Sequence, residues 1–313
     1  MAKLPGNVVI ETRWRGPATA AILGSRGALC LDAPLQPLEA DEWIATLRAH
    51  GATRLAFVVQ MDSSPERAVA VANLRALPQT GQLTVVAHQH TAEVMRTTPD
   101  SLRTGAVLAT LGAGFQGGVF ALPPWVRPQV TFTESLTFHW DKTTVELVHV
   151  PAVNPGALWV HLPQEKLLFV GDALATAMPP YLGEADLPAW FEALAQLRRA
   201  PYREARVFSA RGGWVSPAQV TRFATFLRAV QHRLESLKSK SEPQKDLTRA
   251  AASLSAYFRF PRERRLMIES RLRLGLQALW EREHGPLPGR APGSEPIGRF
   301  PSNAGSAHVR AAR

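Results

Sequence analysis

The sequence predicts an α/β protein in which two β-sheets pack face to face and helices cover their outer sides. Three observations lead to this prediction. Short apolar runs typical of strands come in two groups, and each group is followed by stretches with a helical apolar period. Hydrophobic residues make up 45% of a chain of 313 residues, which is enough to bury a substantial core.

The elements follow from apolar periodicity and from the Gly, Pro and Asp residues that interrupt it. Strands are predicted at residues 7–10, 18–23, 28–31, 55–59, 82–87, 130–133, 136–140, 144–150, 158–162, 167–170 and 205–209. Helices are predicted at residues 39–50, 68–77, 91–95, 187–198, 217–238, 245–257 and 261–284. Residues 97–128 are rich in Gly and Pro, and we expect a mobile insertion or a lid there.

The same patterns predict three parts of the chain: a domain at residues 1–232, a basic helical extension at 233–284 and a disordered tail at 285–313. No run of about 18 apolar residues and no secretory signal is present, so we expect a cytoplasmic protein without a membrane span. Cys30 is the only cysteine, which excludes a disulfide framework and a Cys-rich zinc site. It lies in an apolar strand and is predicted to be buried.

Charge is distributed unevenly along the chain. Residues 1–197 carry a formal charge of −4, whereas residues 198–313 carry +14. A basic segment of this kind is compatible with nucleic acid or another polyanion, although solvated Arg-rich helix faces explain it more simply. The residues predicted to contact a polyanion are Arg262, Arg264 and Arg265, which open the last helix, and Arg271 and Arg273, which lie on or near the side opposite its apolar stripe.

A polar loop follows the buried strand at residues 55–59, where α/β folds commonly place functional side chains. The loop holds Asp62, Ser64, Glu66 and Arg67. Its local role is a helix start, with Ser64 as the N-cap and a proline at the first helical position. That role explains the helix but assigns no task to the charged groups.

Five segments, taken in order, resemble motifs of the metallo-β-lactamase fold superfamily. These segments are Ala28-Leu29-Cys30-Leu31-Asp32, the loop from Phe57 to Arg67, Val148-His149-Val150-Pro151-Ala152-Val153-Asn154-Pro155-Gly156, Leu167-Leu168-Phe169-Val170-Gly171-Asp172, and Ser209-Ala210-Arg211-Gly212. The resemblance covers about residues 5–232. It implies a four-layer αββα sandwich, to which this chain adds a helical C-terminal extension.

The resemblance also implies a place for one or two metal ions, held in the family by histidines and aspartates that activate water for hydrolysis. In this chain the histidine positions and one aspartate position of that pattern hold other residues, and the bridging aspartate is kept as Asp172. The residues of this remnant pocket are Asp62, Ser64, Glu66, Arg67, Val153, Asp172 and Arg211. Zinc favours imidazole and thiolate donors, and this set offers neither.

Two interpretations of the pocket stay open. In the first, which we favour, Arg67 and Arg211 replace the metals electrostatically and pair with Asp172 and with Asp62 or Glu66, so that no cofactor is expected. In the second, the oxygen donors hold Mg²⁺, Mn²⁺ or Ca²⁺, or even Zn²⁺, with Asp62, Glu66 and Asp172 as ligands.

The histidines receive a structural interpretation. His88 and His90 form a His-x-His pair, but a short pair after a strand is more often hydrogen-bonded than metal-binding, and we expect no metal there. His149 and His161 lie in strand patterns and are expected to be structural.

Three functions follow from these interpretations. The first is a pseudoenzyme that binds a protein partner or a small anionic ligand. The second is a divergent hydrolase that acts on an anionic ester. The third is a nucleic-acid-binding protein that uses residues 198–313.

Overall fold

A computed structural model describes residues 4–14, 16–98, 124–238 and 243–286. Most of the segment predicted as a lid, residues 99–123, lies outside the described residues, and so does nearly all of the tail predicted at 285–313. No helix in the described ranges is both long and apolar enough to span a bilayer.

The first sheet has the strand order β1-β2-β3-β4-β5-β6. The first three strands pair antiparallel, and β3 to β6 pair parallel. Parallel strands end at the same edge of a sheet, so the loops after β3, β4 and β5 lie side by side. The strands are β1 Val8–Glu11, β2 Thr19–Gly24, β3 Gly27–Leu31, β4 Leu55–Val59, β5 Thr84–His88 and β6 Val130–Phe132.

The second sheet has the order β12-β11-β10-β9-β8-β7, with β10 and β11 parallel and the other pairs antiparallel. The sequence pattern predicts all of these strands except β12, which forms the edge of the sheet. The strands are β7 Ser135–Trp140, β8 Thr143–His149, β9 Leu158–Leu162, β10 Leu167–Phe169, β11 Arg206–Ser209 and β12 Gly213–Val215.

The helices cover the outer faces of both sheets. They are α1 Pro37–Ala49, α2 Pro65–Ala76, α3 Gln89–Thr97, α4 Leu187–Gln196, α5 Pro217–Leu237, α6 Pro243–Ser255 and α7 Arg265–His284. Pro lies in the first turn of α1, α2, α4 and α5, where its missing N–H leaves no hydrogen bond unmade.

Strand β3 shows how the layers arise, because alternate side chains of a strand point to opposite faces. Leu29 and Leu31 pack between the two sheets. Ala28 and Cys30 face the helical layer over the first sheet. Cys30 is fully buried, as predicted. The resulting four-layer αββα sandwich with C-terminal helices confirms the fold predicted from the sequence.

The C-terminal helices belong to the outer layer of the second sheet. One hydrophobic cluster joins Trp159 and Leu168 of that sheet to Phe226 of α5, Leu254 of α6 and Leu272 of α7. The helical extension therefore shares a core with the sandwich.

Two further features show how tightly the extension is joined to the sandwich. The predicted boundary at residue 232 falls inside α5, a continuous helix. Gly275 of α7 approaches the 181–185 loop so closely that a Cβ on it would lie 2.8 Å from the Leu182 backbone nitrogen. A helix interior normally disfavours glycine, so this close approach is its physical reason.

Candidate functional site

Seven charged side chains meet at the sheet edges and form what we call the carboxylate–guanidinium network. They come from the ends of β3, β4, β10 and β11, the first turn of α2, and α7. Each is at most 3% exposed. The members are Asp32, Asp62, Glu66, Arg67, Asp172, Arg211 and Arg271.

Arg67 lies at the centre of the network and uses all three guanidinium nitrogens. Its Nε donates to Asp32 Oδ2 at 2.7 Å, Nη1 to Asp62 Oδ2 at 2.6 Å, and Nη2 to Asp172 Oδ1 at 2.8 Å. These distances are those of charge-assisted hydrogen bonds. One guanidinium therefore connects three loops from both sheets.

Arg211 and Arg271 complete the network around Glu66. Arg211 donates from Nε to the second oxygen of Asp172 and from Nη2 to Glu66 Oε1. Arg271 donates from Nη2 to Glu66 Oε1 at 3.1 Å and from Nε to the Pro179 carbonyl at 2.9 Å. Helix α7 thus contributes a charged group to the same site as the two sheets.

The electrostatics of the network depend on burial. Burial raises the pKa of Asp32 and of Asp172, and the Arg67 guanidinium counteracts that rise. The carboxylates in turn raise the pKa of Arg67 well above its ordinary value, although burial works against them. Burial lowers the pKa of Arg271 to about 10, which leaves it charged at neutral pH. Burial, together with the neighbouring Arg271 guanidinium, lowers the pKa of Arg211 well below its ordinary value.

The structure brings most of the predicted pocket residues into direct contact. Arg67 and Arg211 both pair with Asp172, the shared partner that the sequence predicts. Ser64 lies at the N-cap position of α2, but its side chain makes no capping hydrogen bond. Its hydroxyl instead accepts a hydrogen bond from Arg67 at 3.4 Å. Val153 is buried beside the network and offers no polar group.

The sequence patterns do not indicate that Asp32 and Arg271 belong to the carboxylate–guanidinium network. In the sequence Asp32 is only the last residue of the first segment that resembles the superfamily. In the structure its left-handed φ of 55° turns the chain, and its carboxylate also accepts the Met61 N–H at 3.0 Å. The prediction that Arg271 contacts a polyanion from the outer side of its helix is wrong, because the side chain is 1% exposed.

The other predicted polyanion contacts are more accessible. Arg262, Arg264 and Arg265 are exposed around the start of α7, and Arg273 is partly buried. Their contact with a polyanion stays a prediction.

A small cavity adjoins the network, with a volume of about 10 Å³. About 10–15 Å³ is needed to hold a single water molecule. Residues from the 181–185 loop and α7 close the space in which a crevice would otherwise open. The lining residues are Asp62, Ser64, Pro65, Val153, Asn154, Asp172, Tyr181, Glu184 and Arg271.

Glu184 faces this cavity and gives the site a pH signature. Burial, aided by the neighbouring Asp62 carboxylate, raises its pKa from 4.5 to about 8. The folded state therefore keeps a proton that the unfolded state loses, and the free energy of unfolding should fall as pH rises from about 4.5 to 8.

In Glu184→Gln this contribution is absent, so urea unfolding at pH 5 and pH 8 should show a smaller loss of stability than in the parent. Equal losses in both proteins would contradict the expectation.

Three histidines from the two sheets lie together: His88 ends β5 of the first sheet, His90 is in the first turn of α3, and His149 ends β8 of the second sheet. The rings of His88 and His149 stack with centroids 3.6 Å apart, and His90 lies 5.1 Å from His88. Ring nitrogens of His88 and His149 hydrogen-bond to the carbonyls of Thr133 and Pro155. His161 pairs with Glu146 at 2.9 Å.

Comparison with known proteins shows which fold the chain shares. A sequence model of the metallo-beta-lactamase superfamily matches residues 71–211. A metallo-beta-lactamase from Pontibacter korlensis is 18% identical, with a TM-score of 0.55 over 72% of this chain and 97% of that one. An archaeal metallo-beta-lactamase superfamily protein from Sulfolobus tokodaii is 15% identical, with a TM-score of 0.53 over 86% and 98%.

A larger protein shares the fold over more of this chain. The stereoselective inverting sec-alkylsulfatase Pisa1 from Pseudomonas sp. is 16% identical, with a TM-score of 0.60 over 90% of this chain and 50% of that one. Curated protein sequences give no match. The matched sequence model, the two-sheet topology and these neighbours agree: the chain has the metallo-beta-lactamase fold, and the superfamily's sequence model matches the part of it from residue 71 to residue 211.

Proposed function

We propose that this chain is a member of the metallo-beta-lactamase superfamily that is independent of metal, has lost hydrolysis and acts as a binding protein. The observation that carries the proposal is the carboxylate–guanidinium network. Fixed positive groups lie among the carboxylates, where a cation would otherwise balance their charge. A guanidinium does not deprotonate to make room for a metal.

The oxygen donors support the proposal because they are already engaged. Both oxygens of Asp32, Asp62 and Asp172 accept hydrogen bonds. Glu66 Oε2 is the one carboxylate oxygen of the network without a partner in the described part of the chain. A divalent cation requires several oxygen, imidazole or thiolate ligands and would have to displace Arg67. The donor set therefore does not fit a resident metal.

The shape of the site supports loss of hydrolysis. A cavity of about 10 Å³ has no room for an ester or a lactam beside the attacking water. Arg271 and Tyr181 fill the approach, and both are buried. The divergent hydrolase is the less favoured function, since it needs a crevice that these side chains close.

Elemental analysis by mass spectrometry tests the proposal. The untagged protein, incubated with Zn²⁺, Mn²⁺ and Mg²⁺ and then desalted, should retain well under one metal ion per chain. A metal-loaded metallo-beta-lactamase carried through the same desalting is the control. Hydrolysis of a chromogenic ester panel should stay at the uncatalysed rate. Stoichiometric metal that is lost in Asp172→Asn, which keeps the side-chain shape, would overturn the proposal.

A further inference from the structure

A second concave site lies beside β12, the edge strand of the second sheet. We call it the edge groove; it is bounded by Arg198, Arg203, Arg206 and Trp214 and has a floor that includes Val207 and Val220. Its volume is about 600 Å³. Small-molecule sites in proteins span roughly 300–1,000 Å³. The edge groove is therefore of a size that suits a small organic ligand.

The floor of the edge groove is apolar and preformed. Leu197, Val207 and Val220 come from the end of α4, from β11 and from α5, and each is 8–9% exposed. All three belong to the hydrophobic cluster that holds the C-terminal helices on the second sheet. A ligand with an apolar body would contact this floor without rearranging it, and burial of that body would favour binding.

The rim of the edge groove carries three positive charges. No aspartate or glutamate is among its described lining residues. Arg198 donates to the Thr221 hydroxyl at 3.3 Å, a neutral partner. Positive side chains around a concave apolar surface attract an anionic group.

The nearest carboxylates in sequence are paired elsewhere. Glu192 accepts a hydrogen bond from Arg199 at 2.7 Å. Glu204 accepts one from Lys166 at 2.9 Å, and Arg203 adds only a longer-range attraction that helps to lower its pKa. The charge of the rim is thus largely available to a ligand.

Trp214 lines the edge groove from the inter-sheet side of β12, on the other face of the sheet from the floor residue Val207. The Arg206 guanidinium lies 4.2 Å from the centre of the Trp214 ring, a cation–π contact. Phe208 supports the same ring edge-on at 5.2 Å between centroids. A fixed indole beside a guanidinium places an apolar contact and an anion contact next to each other.

From this juxtaposition we propose that the edge groove binds an amphipathic organic anion, with an acyl or aromatic body on the floor and a carboxylate at the arginine rim. A polynucleotide fits less well, because an apolar floor offers nothing to a phosphate backbone. The site is distinct from the carboxylate–guanidinium network and does not depend on whether that network binds metal.

Isothermal titration calorimetry with decanoate below its micellar concentration tests the inference. Decanol and decyltrimethylammonium carry the same apolar chain with a neutral and a positive head group. Decanoate should bind at one site per chain, and both of the others at least about tenfold more weakly, because they lose the charge-assisted hydrogen bonds at the rim.

Variants locate the binding to the edge groove. Arg203→Gln combined with Arg206→Gln should weaken decanoate binding by about tenfold or more. Arg228→Gln removes an exposed arginine of α5 that is not among the groove's lining residues and should leave the affinity unchanged. Circular dichroism melting of each variant checks that the fold is retained.

Four results would overturn the inference. The first is that decanoate gives no heat of binding, and the second is that decanol binds as tightly as decanoate. The third is that Arg228→Gln weakens decanoate binding as much as the double variant does. The fourth is that a single-stranded oligonucleotide binds in a manner that depends on Arg203 and Arg206 while decanoate does not bind. The last result would assign the groove to nucleic acid.

Discussion

Arg67→Met should lower the free energy of unfolding by at least about 3–5 kcal/mol, the usual cost of removing one partner from a buried ion pair. The expected loss is large because Asp32, Asp62 and Asp172 all direct an oxygen at this one guanidinium. Methionine fills much of the same space, so the loss would report charge and not a cavity. Urea unfolding at pH 7 measures it.

The pH dependence separates this cause from a general packing defect. Without Arg67 the buried aspartates gain stability when they are protonated, because burial already favours their neutral form. The deficit of Arg67→Met relative to the parent should therefore shrink as pH falls from 7 towards 4. Arg96→Met, which removes an exposed pair with Glu93, should leave the free energy of unfolding nearly unchanged. A deficit that is small, or that does not change with pH, would contradict the assigned role of Arg67.

Deletion of residues 243–313 should abolish the folded state altogether. The deletion removes α6 and α7, whose most buried leucines are 0–1% exposed: Leu247, Leu254, Leu272, Leu276 and Leu279. At about 1.5–3 kcal/mol for each buried leucine, these five alone contribute about 8–15 kcal/mol. Net stabilities of folded proteins are about 5–15 kcal/mol. The remaining chain would also leave Glu66 without Arg271.

The comparator for this deletion is a chain that ends at Pro286, which keeps every described helix. Soluble yield, size-exclusion elution and near-ultraviolet circular dichroism compare the two proteins. A chain ending at residue 242 that elutes as a monomer with native near-ultraviolet signal would show that the extension is an independent unit, as the boundary predicted at residue 232 implies.

Much of the fold was predictable because local and tertiary preferences agree. Residues 55–59 and 158–162 are unbroken apolar runs between polar turns, and β4 and β9 have those bounds. Strand β12 was not predictable in this way. It has only three residues and begins at the second glycine of a Gly-Gly pair, so its pattern is that of a turn, and its pairing with β11 supplies the missing stabilisation.

The candidate site was predictable where one loop carries several charged groups, as at Asp62 to Arg67. Arg271 was not, since a charged residue on an amphipathic helix normally faces water. The spacing of Arg271 nevertheless indicates that it faces inward. It lies three residues after Ile268 and four before Gly275, on the buried face of α7. A glycine inside a helix indicates a close neighbour, and here that neighbour is the 181–185 loop.

The shared use of Asp172 by two guanidiniums limits which substitutions the site can tolerate. Exchanging any single arginine of the network for a neutral residue removes one counter-charge from buried carboxylates that the other arginines only partly balance. Each single exchange therefore costs stability. We expect the three arginines to be retained together in related sequences, because the loss of one makes the fold less tolerant of the loss of the next.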